Sequence, residues 1–160
     1  MRNQLFCYPI KNSDSIEKIY FLKQKNKILL EYCSIPVSAG KPYSVEDYVA
    51  EEIDLSDFLF AEPDKSLIVK VYGDSMIDAG IKPGFSVVLD RKIEPKHGDI
   101  VVASVNNELT LKGLKIEKNK ISLIPANKNY QEIEINEYSN FKIIGVLIHF
   151  ISGKRPNLFY

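Results

Sequence analysis

From Ser66 onward the chain is a succession of short apolar or alternating runs separated by Gly, Pro and Asn. Leu67-Ile68-Val69-Lys70-Val71-Tyr72 is the first such run. Gly80, Pro83 and Gly84 then mark turns ahead of Ser86-Val87-Val88-Leu89. A break from Pro95 to Gly98 precedes Asp99 to Val105, and Asn106-Asn107 has the composition of a tight hairpin turn leading into Leu109 to Ile116. Further runs follow at Ile121 to Ile124, around Ile133, and from Phe141 to Phe150. Many short strands with turn punctuation and almost no helical periodicity predict a mainly β domain of antiparallel strands, barrel-like or sandwich-like.

The pattern is less regular before Ser66. Gly40 to about Pro63 reads as locally helical: Ser44 followed by Asp47 resembles an N-cap with an acidic third helical position, and Tyr48 and Val49 supply apolar contacts. Asp54 is placed to cap a second short turn carrying Leu55, Phe58 and Leu59. Met1 to about Ala39 alternates apolar patches with Lys- and Asn-rich stretches, and a short helix and a hairpin both remain open for it. It lacks a Gly-containing turn joining two amphipathic helices, and a winged helix-turn-helix needs more than these 39 residues. Gly153 to Tyr160 reads as a tail.

Composition narrows the function classes. Of 160 residues, 45% are hydrophobic and 26% charged, the balance of a soluble folded domain. Lys plus Arg and Asp plus Glu each total 21, so the basic excess that accompanies strong direct DNA binding is missing. Two isolated cysteines, Cys7 and Cys33, form neither a disulfide framework nor a CxxC pair, and His97 and His149 have no ligand-spaced partners. No metal or other cofactor is expected. With no apolar run of membrane-spanning length and no secretory signal pattern, the expected compartment is the cytoplasm.

Two residues draw attention as chemistry. Ser75 lies in the polar turn Gly73-Asp74-Ser75-Met76 that follows the first strong strand, a place where serine is commonly only a turn residue. Lys112 shares one strand face with Thr110, Leu114 and Ile116. Such a lysine is either an edge residue reaching water or a buried amine. If buried, desolvation opposes its charged form, and a neutral amine can take a proton from a serine hydroxyl. Asp74, Asp78 and Asp99 read as turn carboxylates, Asn127 and Tyr130 as residues fixing a loop, and His97 and His149 as non-catalytic.

Gly73-Asp74-Ser75-Met76-Ile77-Asp78-Ala79-Gly80-Ile81, Gly98-Asp99-Ile100-Val101, Thr110-Leu111-Lys112, Leu123-Ile124-Pro125-Ala126-Asn127 with Tyr130, and Ile144-Gly145-Val146-Leu147-Ile148-His149 together resemble, in order, the protease domain of the LexA and UmuD family of self-cleaving Ser–Lys proteins. The 37 positions between Ser75 and Lys112 fit that family's spacing. The resemblance implies Ser75 as nucleophile, Lys112 as its base, and backbone N–H groups of Asp74 and Ser75 as the oxyanion hole. It also implies a cleavage site at Ala39-Gly40, within Val37-Ser38-Ala39-Gly40-Lys41-Pro42. The chain then divides into an arm, residues 1–39, removed by self-cleavage, and a protease-like, partner-binding domain, residues 40–160.

The short arm resembles that of UmuD-type proteins more than the DNA-binding domain of a LexA-type repressor. The implied role is a DNA-damage (SOS) response protein. Its processed homodimer would serve a UmuC-type error-prone translesion polymerase, and a RecA–single-stranded DNA filament would promote cleavage. A LexA-like regulator and a non-cleaving binding module are the competing expectations; a signal peptidase would need a membrane anchor.

Overall fold

The computed structural model describes residues 16–21, 27–33, 50–60, 62–118 and 120–152. The strands are β1 (Ile16–Phe21), β2 (Leu29–Cys33), β3 (Ala50–Asp54), β4 (Ser66–Val71), β5 (Ser86–Asp90), β6 (Ile100–Val105), β7 (Glu108–Glu117), β8 (Lys120–Ile124), β9 (Ile133–Ile135) and β10 (Phe141–Ile151). One short helix, α1 (Leu55–Leu59), follows β3. Eight strands form one antiparallel sheet in the order β1-β4-β5-β10-β6-β7-β8-β9, and β2 pairs with β3 in a separate ribbon. The protein is thus mainly β, as its alternation of apolar and polar positions predicts.

The sheet is strongly curled. Four strands lie between β1 and β7 in the strand order, which would hold them about 24 Å apart in a flat sheet. Their Cα atoms instead approach within 8 Å. Two bulges in β10, one between Ile143 and Gly145 against β6 and one between Leu147 and His149 against β5, supply local twist. A Cβ at Gly145 would sit 3.0 Å from the Asp90 carbonyl oxygen and 3.1 Å from Leu89 Cβ, so only glycine lets β10 lie this close to β5.

Curling buries both faces of the central strands, which explains their continuous apolar runs. Leu67, Val69 and Val71 of β4, Val87 and Leu89 of β5, Val102 and Leu111 pack into one core. Val101, Ala103, Leu114, Leu123 and Val146 form a second. Successive residues such as Val101 and Val102 go to different cores because strand side chains alternate. Asn106 and Asn107 both have positive φ (51° and 70°), the backbone of a type I′ turn, and join β6 to β7 with Val105 facing Glu108.

One expectation needs correction before Ser66. The helical reading of 40–63 fails at Ala50-Glu51-Glu52-Ile53-Asp54, which is strand β3. Its backbone pairs with β2 from Leu29↔Asp54 to Cys33↔Ala50, and this long-range ladder overrides the helix preference of Ala and Glu. In the first region, β1 and β2 do not pair with each other as a hairpin would. β1 joins the edge of the main sheet at β4. The Asp54 cap does form: its carboxylate accepts from the Ser56 N–H (2.9 Å) at the start of α1. Ser44-Asp47, Ala39-Gly40, Cys7 and the tail from Gly153 lie outside the described residues.

Candidate active site

Ser75 sits just beyond the end of β4, in a turn fastened from several sides. Met76 and Ile81 plunge into the first core and are fully enclosed. Between them Ile77–Ala79 makes one turn of 3₁₀ helix, closed by Gly80 in the left-handed region (φ 80°). The Ile81 N–H returns to the Met76 carbonyl (3.2 Å), and the Asp78 N–H donates to the Ala126 carbonyl (2.8 Å). The Asn127 amide donates to the Asp74 carbonyl (3.1 Å) and to its carboxylate (3.4 Å), and the Tyr130 hydroxyl donates to the other carboxylate oxygen. The segment after β8 therefore grips the residue immediately before Ser75. Asn127 and Tyr130 do fix a loop, and the loop they fix carries Ser75.

Lys112 comes from the middle of β7, where it faces Val101 of β6. Its side chain is buried, with 4% of the residue exposed against 2% for Ser75. The amine Nζ donates to Ser75 Oγ at 2.8 Å, Thr110 Oγ1 at 2.9 Å and the Leu111 carbonyl at 3.0 Å. The Tyr130 ring centroid is 5.9 Å from Nζ, shielding the amine from one side. Of the two readings open for this lysine, edge residue or buried amine, the structure has the second.

This arrangement has a definite chemistry. Three neutral oxygens around Nζ suit an ammonium, which has three N–H donors. Burial works in the opposite direction, because a charged amine loses its hydration there. On losing one proton, Nζ keeps two donors and gains a lone pair, which can accept the Ser75 hydroxyl proton across the same short contact. Thr110, not singled out for a role from sequence, supports the amine. Its legible signal is the two-residue spacing that puts it on the face of Lys112. Among the described residues, no backbone carbonyl accepts from the N–H groups of Asp74 or Ser75.

The remaining candidates lie elsewhere. The Asp99 carboxylate accepts from the Lys96 N–H (2.7 Å) within its own turn, and Asp78 is exposed. His97 Nδ1 accepts from the Ile116 N–H (3.0 Å) at the surface, and His149 lies exposed on β10. Among the described residues no three His, Cys, Asp or Glu side chains gather as a metal site, and no helix is long and apolar enough to cross a membrane.

A serine hydroxyl bonded to an enclosed lysine amine, on a curled antiparallel sheet, is an arrangement suited to a lysine-assisted serine peptidase. The family model described as Peptidase S24-like matches residues 32–148, and the chain belongs to that family. Among similar proteins, Protein SamA of Salmonella typhimurium is 35% identical over 111 residues, covering 69% of this chain and 79% of SamA. The LexA repressor of Stenotrophomonas maltophilia is 37% identical over 121 residues, 76% of this chain and 56% of the repressor. The LexA repressor of Xylella fastidiosa strain M23 is 31% identical over 148 residues, 92% of this chain and 68% of the repressor. The chain thus spans little more than half the length of the Stenotrophomonas repressor it matches.

Proposed function

We propose that this protein cuts its own chain at Ala39-Gly40, with Ser75 as nucleophile and Lys112 as base. The observation that carries the reading is the 2.8 Å contact between Lys112 Nζ and Ser75 Oγ, both residues buried. Neutral Nζ takes the Ser75 proton as Oγ attacks the Ala39 carbonyl carbon. The N–H groups of Asp74 and Ser75 stabilise the oxyanion. The tetrahedral adduct collapses, the bond to Gly40 breaks, and the Lys112 ammonium returns its proton to the departing amine. Lys112 then deprotonates a water, which hydrolyses the acyl ester and frees Ser75. Because the scissile bond is tethered, the attack is effectively unimolecular, and a modest nucleophile suffices.

The biological setting that best matches is the SOS response, with the processed form acting as accessory subunit of an error-prone translesion polymerase. The resemblance to UmuD-type proteins and the likeness to SamA support it, and the balanced charge weighs against a chain that grips DNA alone. In this reading the product is a homodimer, its partner a UmuC-type polymerase, and the promoter of cleavage a RecA–single-stranded DNA filament. The chemistry is tested by holding purified protein between pH 7 and pH 10 and following intact mass. A new N-terminus at Gly40, forming faster as pH rises and absent in Ser75→Ala, is expected. A rate flat across that range in folded protein eliminates Lys112 as the limiting base.

A further inference from the structure

The segment before the proposed cut is built into the body of the protein at two places. β1 pairs with β4 from Ile16↔Val71 to Phe21↔Leu67, and β2 pairs with β3 from Leu29↔Asp54 to Cys33↔Ala50. Both partner strands lie after Gly40. The Leu55 N–H donates to the Ile28 carbonyl (2.8 Å), and the Ile28 N–H donates to the Asp54 carboxylate (3.4 Å). The Tyr32 and Phe58 rings meet with centroids 6.1 Å apart. Breaking the bond between residues 39 and 40 removes none of these contacts.

We infer that residues 1–39 stay docked after cleavage as a non-covalent pair of strands, and that the outer edge of β4 is their docking surface. The inference rests on the cut position proposed above. β1 is the terminal strand of the sheet and β4 has β5 on its other side, so departure of β1 uncovers the alternate backbone groups of β4 that face it within Leu67–Val71. Retention is favoured by bivalency. Residues 22–28 join β1 to β2, so either strand, while paired, holds the other near its partner at roughly millimolar effective concentration. Cleavage and uncovering of the β4 edge are then separate events. The first changes the covalent chain; the second is a dissociation governed by concentration.

The test uses the full chain carrying Ser75→Ala and a site for a sequence-specific protease in place of the residues around Ala39-Gly40, nicked by that added protease. The fragment is expected to co-elute with the body in size-exclusion chromatography and native mass spectrometry at neutral pH, separating only in denaturant. Its appearance as free peptide on nicking would overturn the inference. A second pair of variants probes the cause. Ile19→Pro with Tyr20→Pro removes two adjacent N–H groups, one of which faces β4 in an antiparallel ladder, and Leu30→Pro with Glu31→Pro does the same towards β3. Each is expected to shed the fragment at least 10-fold faster after nicking; retention at the parental rate shows that strand pairing does not hold it. Amide exchange at Ile68 and Lys70, whose N–H groups alternate with those that face β5 and so face β1, should stay slow in the nicked parent and become fast once the fragment is shed. Fast exchange on nicking alone is a second refutation. Because the nick does not use Ser75, failure of self-cleavage at alkaline pH sinks the peptidase reading while leaving this result intact.

Discussion

Replacing Lys112 by Met separates proton transfer from packing. Methionine has nearly the length of lysine and no titratable group, so the enclosed volume is largely kept, and volume-conserving changes of this kind cost under about 1.5 kcal/mol. The polar loss includes the bonds from Nζ to Ser75 Oγ, Thr110 Oγ1 and the Leu111 carbonyl. All three oxygens lose a donor; the Ser75 and Thr110 hydroxyls can still bond through their own protons, so the larger loss falls on the Leu111 carbonyl, at about 1–3 kcal/mol. Relief of the amine's desolvation offsets part of this. A net loss of about 1–2 kcal/mol lowers Tm by roughly 2–8 °C for a chain of this size, leaving the variant folded at 25 °C. Loss of a general base slows a reaction by about 10²–10⁴-fold, or about 2.7–5.5 kcal/mol of barrier. The expected loss of rate therefore exceeds what the loss of stability can account for, since the variant stays folded at 25 °C. The assay is intact-mass kinetics at pH 9 beside a thermal melt followed by circular dichroism. Lys112→Arg is the control: it preserves a cation and several donors but holds its proton, so it should be equally slow. Cleavage by folded Lys112→Met within tenfold of the parent, with the same rise towards alkaline pH, would refute the assignment of the base.

Three further outcomes follow from the same contacts. Tyr130→Phe keeps the ring beside the amine and removes only the hydroxyl that reaches Asp74; self-cleavage should slow by about 3- to 10-fold, the worth of one hydrogen bond of about 1 kcal/mol, with the shape of the pH profile unchanged in the mass assay. Gly145→Ala should destabilise the fold by about 1–3 kcal/mol in urea unfolding, since the new Cβ meets the Asp90 carbonyl and Leu89 at near-contact distances that two paired strands cannot easily widen. Asp54 has its pKa lowered below the usual 3.8, chiefly by the backbone N–H of Ser56. The stability it contributes is therefore present above its unfolded pKa and lost as pH falls through the lower folded value. Parent stability should accordingly fall more steeply below pH 4 than that of Asp54→Asn, read as urea midpoints across an acid series.

The separation of cutting from uncovering bears on how such a protein could be controlled. In the proposed function, the processed form is the one that serves the polymerase. Here the arm's strands have their own partners in β3 and β4, so the covalent step alone leaves the β4 edge covered. Whatever dilutes or displaces the fragment then decides when that edge becomes available.

The mainly β architecture was legible because both periodicity and turn chemistry are local. Asn106-Asn107 can adopt left-handed backbone without help from the rest of the fold, and Asp54 needs only the next two residues to cap α1. The serine turn and its ordered companions were readable as motifs. What Lys112 does was not readable in that way, because a lysine flanked by apolar residues serves equally well at a wet edge or in a closed interior. Burial is a property of the strands and loops that pack around it, and only the curl of the sheet together with the loop carrying Asn127 and Tyr130 decides it. The same holds for β3: Ala-Glu-Glu favours a helix locally, and the partner that makes it a strand lies some twenty residues earlier in the chain. Residue type and spacing set which chemistry is available, since those are written along one dimension; proximity, desolvation and the choice of strand partner arise from long-range packing and exist only once the chain has folded.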